Sequence, residues 1–230
     1  VGAGSGSSWK SALCLTAILL LGVLATFWVS RLLSATVLKG VPTAFTLELP
    51  PYRKPQIGQV VVRSVLDRTL FVLGRAALVA APAGLLIWVC ANVTVGDVNV
   101  LTCVTDFLDP LGRLLGLDGV ILAAFILGFP ANEIVLPIIL MSYLSGGALV
   151  ETGSVNALGQ VLLQNGWTGV TALCTVLFSL FHWPCSTTCL TIWKETKSAK
   201  WTLLSVAVPT AVGAIACIGV SAAALLLGLL

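Results

Sequence analysis

Charge is scarce in this chain. Of 230 residues, 12 are Lys or Arg, 9 are Asp or Glu and one is His. Charged residues make up 9% of the sequence, whereas a soluble domain carries roughly a quarter. That shortage excludes a soluble domain of any size. A net charge of +3 in a hydrophobic chain gives no basic surface for nucleic acid. A single histidine, His182, leaves little room for acid–base catalysis. There is no H-E-x-x-H, no G-x-S-x-G and no P-loop G-x-x-x-x-G-K-[ST]. The chain therefore reads as a non-enzyme. Met141 is the only methionine and residue 1 is Val, so the sequence reads as a fragment or a processed product.

What is present is apolar. Hydrophobic residues make up 58% of the chain, and the mean hydropathy is +1.06. The apolar runs are long and uncharged, so they read as spanning helices rather than barrel strands. They recur along the chain, which a signal peptide cannot explain. The expected fold class is all-α, a polytopic transmembrane bundle with broken or re-entrant helices, in contact with the lipid bilayer.

Residues 1–35 hold the first transmembrane helix, with its apolar run at 13–30 behind a Gly/Ser-rich lead at 2–8. Residues 36–75 form a connector. Its prolines at 41–55 forbid a helix there. From 57 to 75, Val61, Val65, Leu66 and Leu70 alternate with Arg63, Asp67 and Arg68 at helical spacing, the pattern of an interfacial amphipathic helix. Residues 76–230 form the main transmembrane domain. It contains a span at 76–93, a polar loop at 94–119, broken helices at 120–145 and 167–193, and a last helix at 203–230. A short helix is expected within the 146–166 loop, at 155–163.

Seven cysteines are present without a disulfide framework. Cys14, Cys90, Cys174 and Cys217 lie inside apolar runs, where cysteine acts as a small hydrophobe. Cys185 and Cys189 differ, because they lie at or beside a break.

Lysine and arginine counts set the topology. Arg31, Lys39, Arg53, Lys54, Arg63, Arg68 and Arg75 crowd the 31–75 connector, and Lys194, Lys197 and Lys200 the 194–200 turn. The 94–119 loop has only Arg113 against four aspartates, and 146–166 has no basic residue. The connector and the turn are expected to be cytoplasmic and the two loops external. With both flanks external, 120–145 enters and returns as a hairpin. A kinked full crossing, with 146–166 cytoplasmic, is the alternative.

The two breaks carry the chemistry. Helices interrupted in mid-membrane by polar and proline residues mark the binding sites of transporters. The first break reads Gly128-Phe129-Pro130-Ala131-Asn132-Glu133. Pro130 removes an amide and Gly128 relaxes the backbone, which frees carbonyls near Leu127 and Gly128. Asn132 is expected to cap the next half-helix. Glu133 then sits in its first turn, where the dipole favours an acid. A carboxylate in a membrane is costly, which favours a cation- or proton-handling role over simple capping.

The second break reads His182-Trp183-Pro184-Cys185-Ser186-Thr187. Pro184 suits the first helical position of a new half-helix, and Ser186 and Thr187 suit its first amides. Cys185 and Cys189 are four residues apart, and His182 is near enough to converge with them. Thiolate, imidazole and carboxylate suit a late first-row divalent ion. Packing alone also accounts for His182. Helix N-termini repel cations, so Cys185 and Glu133 must outweigh two dipoles.

At these breaks the chain resembles a known family. Ser179-Leu-Phe-His-Trp-Pro-Cys-Ser-Thr-Thr188, followed by Lys194-Glu-Thr196 and Lys200-Trp-Thr202, is similar to the C-terminal signature of the ferrous-iron transport protein FeoB. Gly128-Phe-Pro-Ala-Asn-Glu-Ile-Val-Leu-Pro137 is similar to a gate segment of that family, and Glu48-Leu-Pro-Pro-Tyr-Arg53 to its connector. The resemblance implies the second gate of a bacterial inner-membrane, multi-pass permease with Fe²⁺ as the transported substrate. Cys185 falls on the family's gate cysteine and Glu133 on the acidic position. His182 joins them on the path, with Asn132, Pro130, Pro184, Ser186 and Thr187 as support. Cys189 departs from the pattern, being commonly apolar in the family.

The resemblance also implies partners: an N-terminal half with a GTP-binding domain, the only route by which GTP enters, a homo-oligomer and small cytoplasmic accessory proteins. Two other functions fit broken helices of this kind. One is a gate-type carrier of nucleosides or other small solutes; the other is a non-transporting membrane subunit.

Overall fold

A computed structural model describes residues 5–37, 57–95, 98–144 and 155–228. The proline-marked stretch with its 48–53 motif lies outside the described residues, as does the start of the 146–166 loop. The chain divides into two units, residues 1–60 and 61–230.

In the first unit, α1 (Ser5–Thr36) is a single helix. It begins within the Gly/Ser-rich lead, earlier than expected. Trp9–Thr36 is long and apolar enough to cross a membrane. Leu13, Leu20, Leu24, Phe27 and Trp28 are all exposed, as on a helix whose solvent is lipid. The hydroxyls of Thr16, Thr26 and Thr36 donate to the carbonyls four residues back, which hides them from an apolar surround.

The second unit begins with the end of α2 (Ile57–Arg63), a π-helical stretch (Ser64–Leu70) and α3 (Phe71–Asn92). A two-residue antiparallel ladder follows, β1 (Thr94–Val95) with β2 (Val98–Asn99). Then comes α4 (Val100–Leu114). The expectation of a polar loop at 94–119 is thus corrected: its centre is an amphipathic helix. Leu101, Thr105 and Gly112 are buried on one side. Arg113 pairs with Asp109 at 2.6 Å one turn away. Asp106 and Asp109 lie on this helix, the first exposed and the second half-buried, and Asp118 lies between it and the next helix.

After α4 the chain turns through 108° into α5 (Gly119–Leu127). A Cβ at Gly119 would collide with the Thr105 carbonyl, so only glycine permits this close approach. Ile121 to Phe125 are buried without interruption. A 3₁₀ turn (Asn132–Ile134) leads into α6 (Val135–Tyr143), in which Ile138 to Met141 are buried.

α5 and α6 form a hairpin. At its open end, the Tyr143 hydroxyl donates to the Asp118 carboxylate, so the start of α5 and the end of α6 lie together. Nine residues of α5 reach about 14 Å, half of a ~30 Å hydrocarbon core.

α7 (Val155–Gln164) matches the expected short helix. α8 (Gly169–Phe181) and α9 (Ser186–Thr196) together form one 28-residue candidate span. α10 (Ala199–Leu226) starts before the expected 203 and continues through Pro209. Phe125, Ile121, Ile138, Ile139, Phe178, Cys174 and Cys217 are fully buried, so the core lies among α5, α6, α8 and α10. Among the described residues three helices are long and apolar enough to span, or four if α4 and α5 are one bent span. The helical, membrane-spanning fold class is as the composition required.

Candidate functional site

The hairpin tip is the first break. Gly128 closes α5, its amide donating to Ala124 O at 2.8 Å. A Cβ there would stand 2.5 Å from Val135 Cγ2 and 2.8 Å from Ala124 O. Glycine therefore lets α6 return against the end of α5. Ala131 N donates to Gly128 O at 3.0 Å, whereas the carbonyls of Phe129 and Pro130 point out of the hairpin to the second break. Asn132 does not cap the next helix as expected. Ala131 occupies the capping position without a side-chain bond, and Asn132 is the first residue of the 3₁₀ turn. Glu133 lies in the first turn, as expected, and both Asn132 and Glu133 are exposed.

The second break starts after Phe181. His182 N closes α8 on Phe178 O at 2.7 Å. Pro184 is not the first helical residue: Cys185 is the N-cap and Ser186 opens α9. Ser186 does not serve its own helix. Its amide donates to Phe129 O at 2.9 Å and its hydroxyl to Pro130 O at 3.5 Å. The two breaks thus meet, through two carbonyls of one and two donors of the other.

Cys185 stands at this junction, half-buried. Its Sγ lies 3.1 Å from Thr187 Oγ1 and 3.2 Å from Thr188 Oγ1. Cys189 is buried, with Sγ 3.5 Å from Pro184 O. Cys185 is the N-cap of α9 and Cys189 lies one turn on, its amide donating to Cys185 O at 3.0 Å. Cys189 borders an open groove of about 500 Å³ between the first break and α10. Phe129, Trp193, Leu203 and Val206 make the groove mostly apolar, which does not suit a cation.

His182 lies among aromatic rings, with centroids 5.1 Å from Phe125, 6.3 Å from Phe178 and 6.0 Å from Trp183. Its Nδ1 lies 2.8 Å from Ser179 O. A carbonyl only accepts, so Nδ1 carries the proton in this contact and Nε2 keeps a lone pair. His182 Nε2 and Trp183 Nε1 are buried, with no hydrogen-bond partner among the described residues. Among those residues no three His, Cys, Asp or Glu side chains come together to hold a metal ion. Cys185, His182 and Glu133 are therefore not gathered into one coordination shell.

Four residues that position the site were not singled out from sequence. Asp118 caps α5, accepting from Ile121 N at 2.6 Å. Asp109 accepts from Gly119 N at 3.2 Å. Trp167 Nε1 donates to the Tyr143 hydroxyl at 2.8 Å, which ties the start of α8 to the hairpin mouth. The legible signal was Asp118 immediately before an apolar run, a helix-start pattern. Tyr143 and Trp167 carried no such signal.

Comparisons with known proteins point to a family. A family model described as "Nucleoside recognition", the gate family, matches residues 73–199. One described as "Ferrous iron transport protein B C terminus" matches residues 15–67. The Fe(2+) transporter FeoB of Staphylococcus aureus (strain COL) is 32% identical over 207 residues, covering 87% of this chain and 30% of that protein. FeoB of Synechocystis sp. (strain ATCC 27184 / PCC 6803 / Kazusa) is 29% identical over 203 residues, covering 87% and 32%. FeoB of Leptospira interrogans (strain Fiocruz L1-130) is 25% identical over 213 residues, covering 84% and 30%. The chain thus spans about a third of the length of these relatives. No solved structure matches it. With two joined helix breaks inside the 73–199 match and FeoB relatives along most of its length, the chain belongs to the gate family, in the form found in the C-terminal membrane region of FeoB.

Proposed function

We propose that this chain forms part of the Fe²⁺ path of a ferrous-iron permease. The observation that carries the reading is the junction of the breaks, Phe129 O to Ser186 N at 2.9 Å. It sets the carbonyls of Phe129 and Pro130 against Ser186, whose chain neighbours Cys185, Thr187 and Thr188 supply a sulfur and two hydroxyls in mutual contact. Oxygen with thiolate suits Fe²⁺ better than a hard cation such as Mg²⁺. The carbonyls also answer the dipole conflict, because their negative ends face the N-terminus of α9 and offset its repulsion of a cation.

In this reading Cys185 contacts the ion, and His182 offers Nε2 from its aromatic surround. Glu133 draws cations toward the hairpin tip. Asn132, Pro130, Pro184, Ser186 and Thr187 shape the breaks. The mouth of the hairpin, at Asp118, Tyr143 and Trp167, faces outward, and the basic 194–200 turn faces the cytoplasm of a bacterial inner membrane. GTP acts only through an N-terminal domain of the full-length protein. A homo-oligomer and small cytoplasmic proteins complete the proposed partners.

The test uses full-length protein in vesicles loaded with a fluorophore that Fe²⁺ quenches. Cys185→Ser and Glu133→Ala each lower Fe²⁺ entry at equal protein incorporation. Wild-type entry in both variants removes the site assignment. Labelled nucleoside offered to the same vesicles tests the solute-carrier alternative, which requires nucleoside entry in place of Fe²⁺ entry.

A further inference from the structure

The junction has one property that a cation path through it must overcome. The Phe129 and Pro130 carbonyls, the strongest neutral ligands at the breaks, are both engaged by Ser186. While its amide and hydroxyl occupy them, the oxygens face hydrogen-bond donors, whose positive ends repel a cation. Each oxygen gives one of its two lone pairs to Ser186, so each is a weaker ligand for Fe²⁺ until the contact opens.

We propose that Ser186 is a positioning residue that latches the two breaks together, and that release of the latch frees the Phe129 and Pro130 carbonyls as oxygen ligands beside Cys185. The proposal rests on the permease reading above. Three features support it. Pro130 has no amide, so the hairpin tip has one donor fewer with which to occupy its own carbonyls. Cys185 is next to Ser186 in the chain, and its sulfur lies against the Thr187 and Thr188 hydroxyls at the start of the same helix. The contact joins a hairpin tip to a break in a spanning helix, so small movement of either element separates donors from acceptors without unfolding a helix.

Ser186→Pro is the decisive variant. Cys185 has φ −62° and ψ 160°, which suits a residue before proline, and Ser186 is the first helical residue, where proline is tolerated. The helix therefore stands. The amide is lost, and the ring intrudes on Phe129 O, which lies 2.9 Å from the nitrogen. Ser186→Ala removes only the hydroxyl. A Pro130→Cys/Ser186→Cys double variant provides a second, independent arm: copper phenanthroline joins the pair, and dithiothreitol releases it.

In the vesicle assay without nucleotide, Ser186→Pro raises Fe²⁺ entry at least about threefold by shifting the latch toward its open state, and Ser186→Ala falls between it and wild type. Oxidation of the double variant stops entry, reduction restores it, and peptide mapping finds the 130–186 bond. Full entry through the cross-linked protein overturns the latch. So does a pair that does not cross-link, and so does a folded Ser186→Pro protein with entry at or below wild type. No Fe²⁺ entry in wild-type vesicles removes the permease reading and the latch with it. Wild-type entry with unaltered variants removes the latch alone.

Discussion

The carbonyl of Phe129 accepts the amide of Ser186 at 2.9 Å, so the tip of one helical hairpin is hydrogen-bonded to the start of a half-helix in another segment. Neither group has a helical partner at its own break, and each supplies what the other lacks. Two interruptions far apart in the chain thereby become one structural feature.

The hairpin mouth should be a measurable source of stability. Tyr143→Phe removes the donor to the Asp118 carboxylate and the acceptor of Trp167. A hydrogen bond to a charged group contributes roughly 1.5–3 kcal/mol. Thermal unfolding of the full-length protein in detergent is expected to show a lowered Tm for Tyr143→Phe and a smaller loss for Trp167→Phe. An unchanged Tm in both shows that the mouth does not hold the hairpin.

Gly128 should not accept a side chain without loss, because an added Cβ meets both Val135 and the Ala124 carbonyl. Gly128→Ala places a Cβ 2.5 Å from Val135 Cγ2, and overpacking of this kind costs roughly 1–3 kcal/mol. Val135→Ala removes the colliding methyl, so the double variant should recover part of the loss. Additive losses in the double-mutant cycle would sink the close-approach account.

The two cysteines should behave differently. Cys185 is half-buried at the junction, whereas Cys189 is buried beside an apolar groove. Cys185→Ser should lower Fe²⁺ entry by at least about tenfold, equivalent to ~1.4 kcal/mol, while Cys189→Val stays near wild type. N-ethylmaleimide should label Cys185 first, and Fe²⁺ should slow that labelling. Equal labelling rates unaffected by Fe²⁺ contradict this.

His182 allows packing and ligation to be separated. His182→Phe keeps an aromatic ring beside Phe125, Phe178 and Trp183 but removes the Nε2 lone pair. Swaps that conserve volume usually cost less than about 1.5 kcal/mol, so the Tm should hold while Fe²⁺ entry falls. A variant that transports like wild type assigns His182 to packing alone.

Much was legible because membranes simplify the physics. Scarce charge and long apolar runs leave helices as the fitting solution, since backbone groups in lipid must be satisfied internally. Pro130 and Pro184 marked the breaks because a missing amide interrupts a helix wherever it lies. The 94–119 segment was misread because four aspartates outweighed an amphipathic period that buries Leu101, Thr105 and Gly112. Asn132 was expected as an N-cap and Pro184 as a first helical residue, positions that the backbone gave to Ala131 and Ser186. Such boundaries depend on local dihedral angles, which residue type only biases.

The sequence by itself determined the helical membrane class, the positions of the breaks and the family, because apolar length and proline chemistry act locally. Tertiary structure decided that Tyr143 closes the hairpin on Asp118 and that Ser186 serves the other break instead of its own helix. It also decided that Cys185 and Cys189 face different surroundings. These depend on which distant donors and acceptors meet, and hydrogen bonds between separate segments leave no periodic mark in the chain.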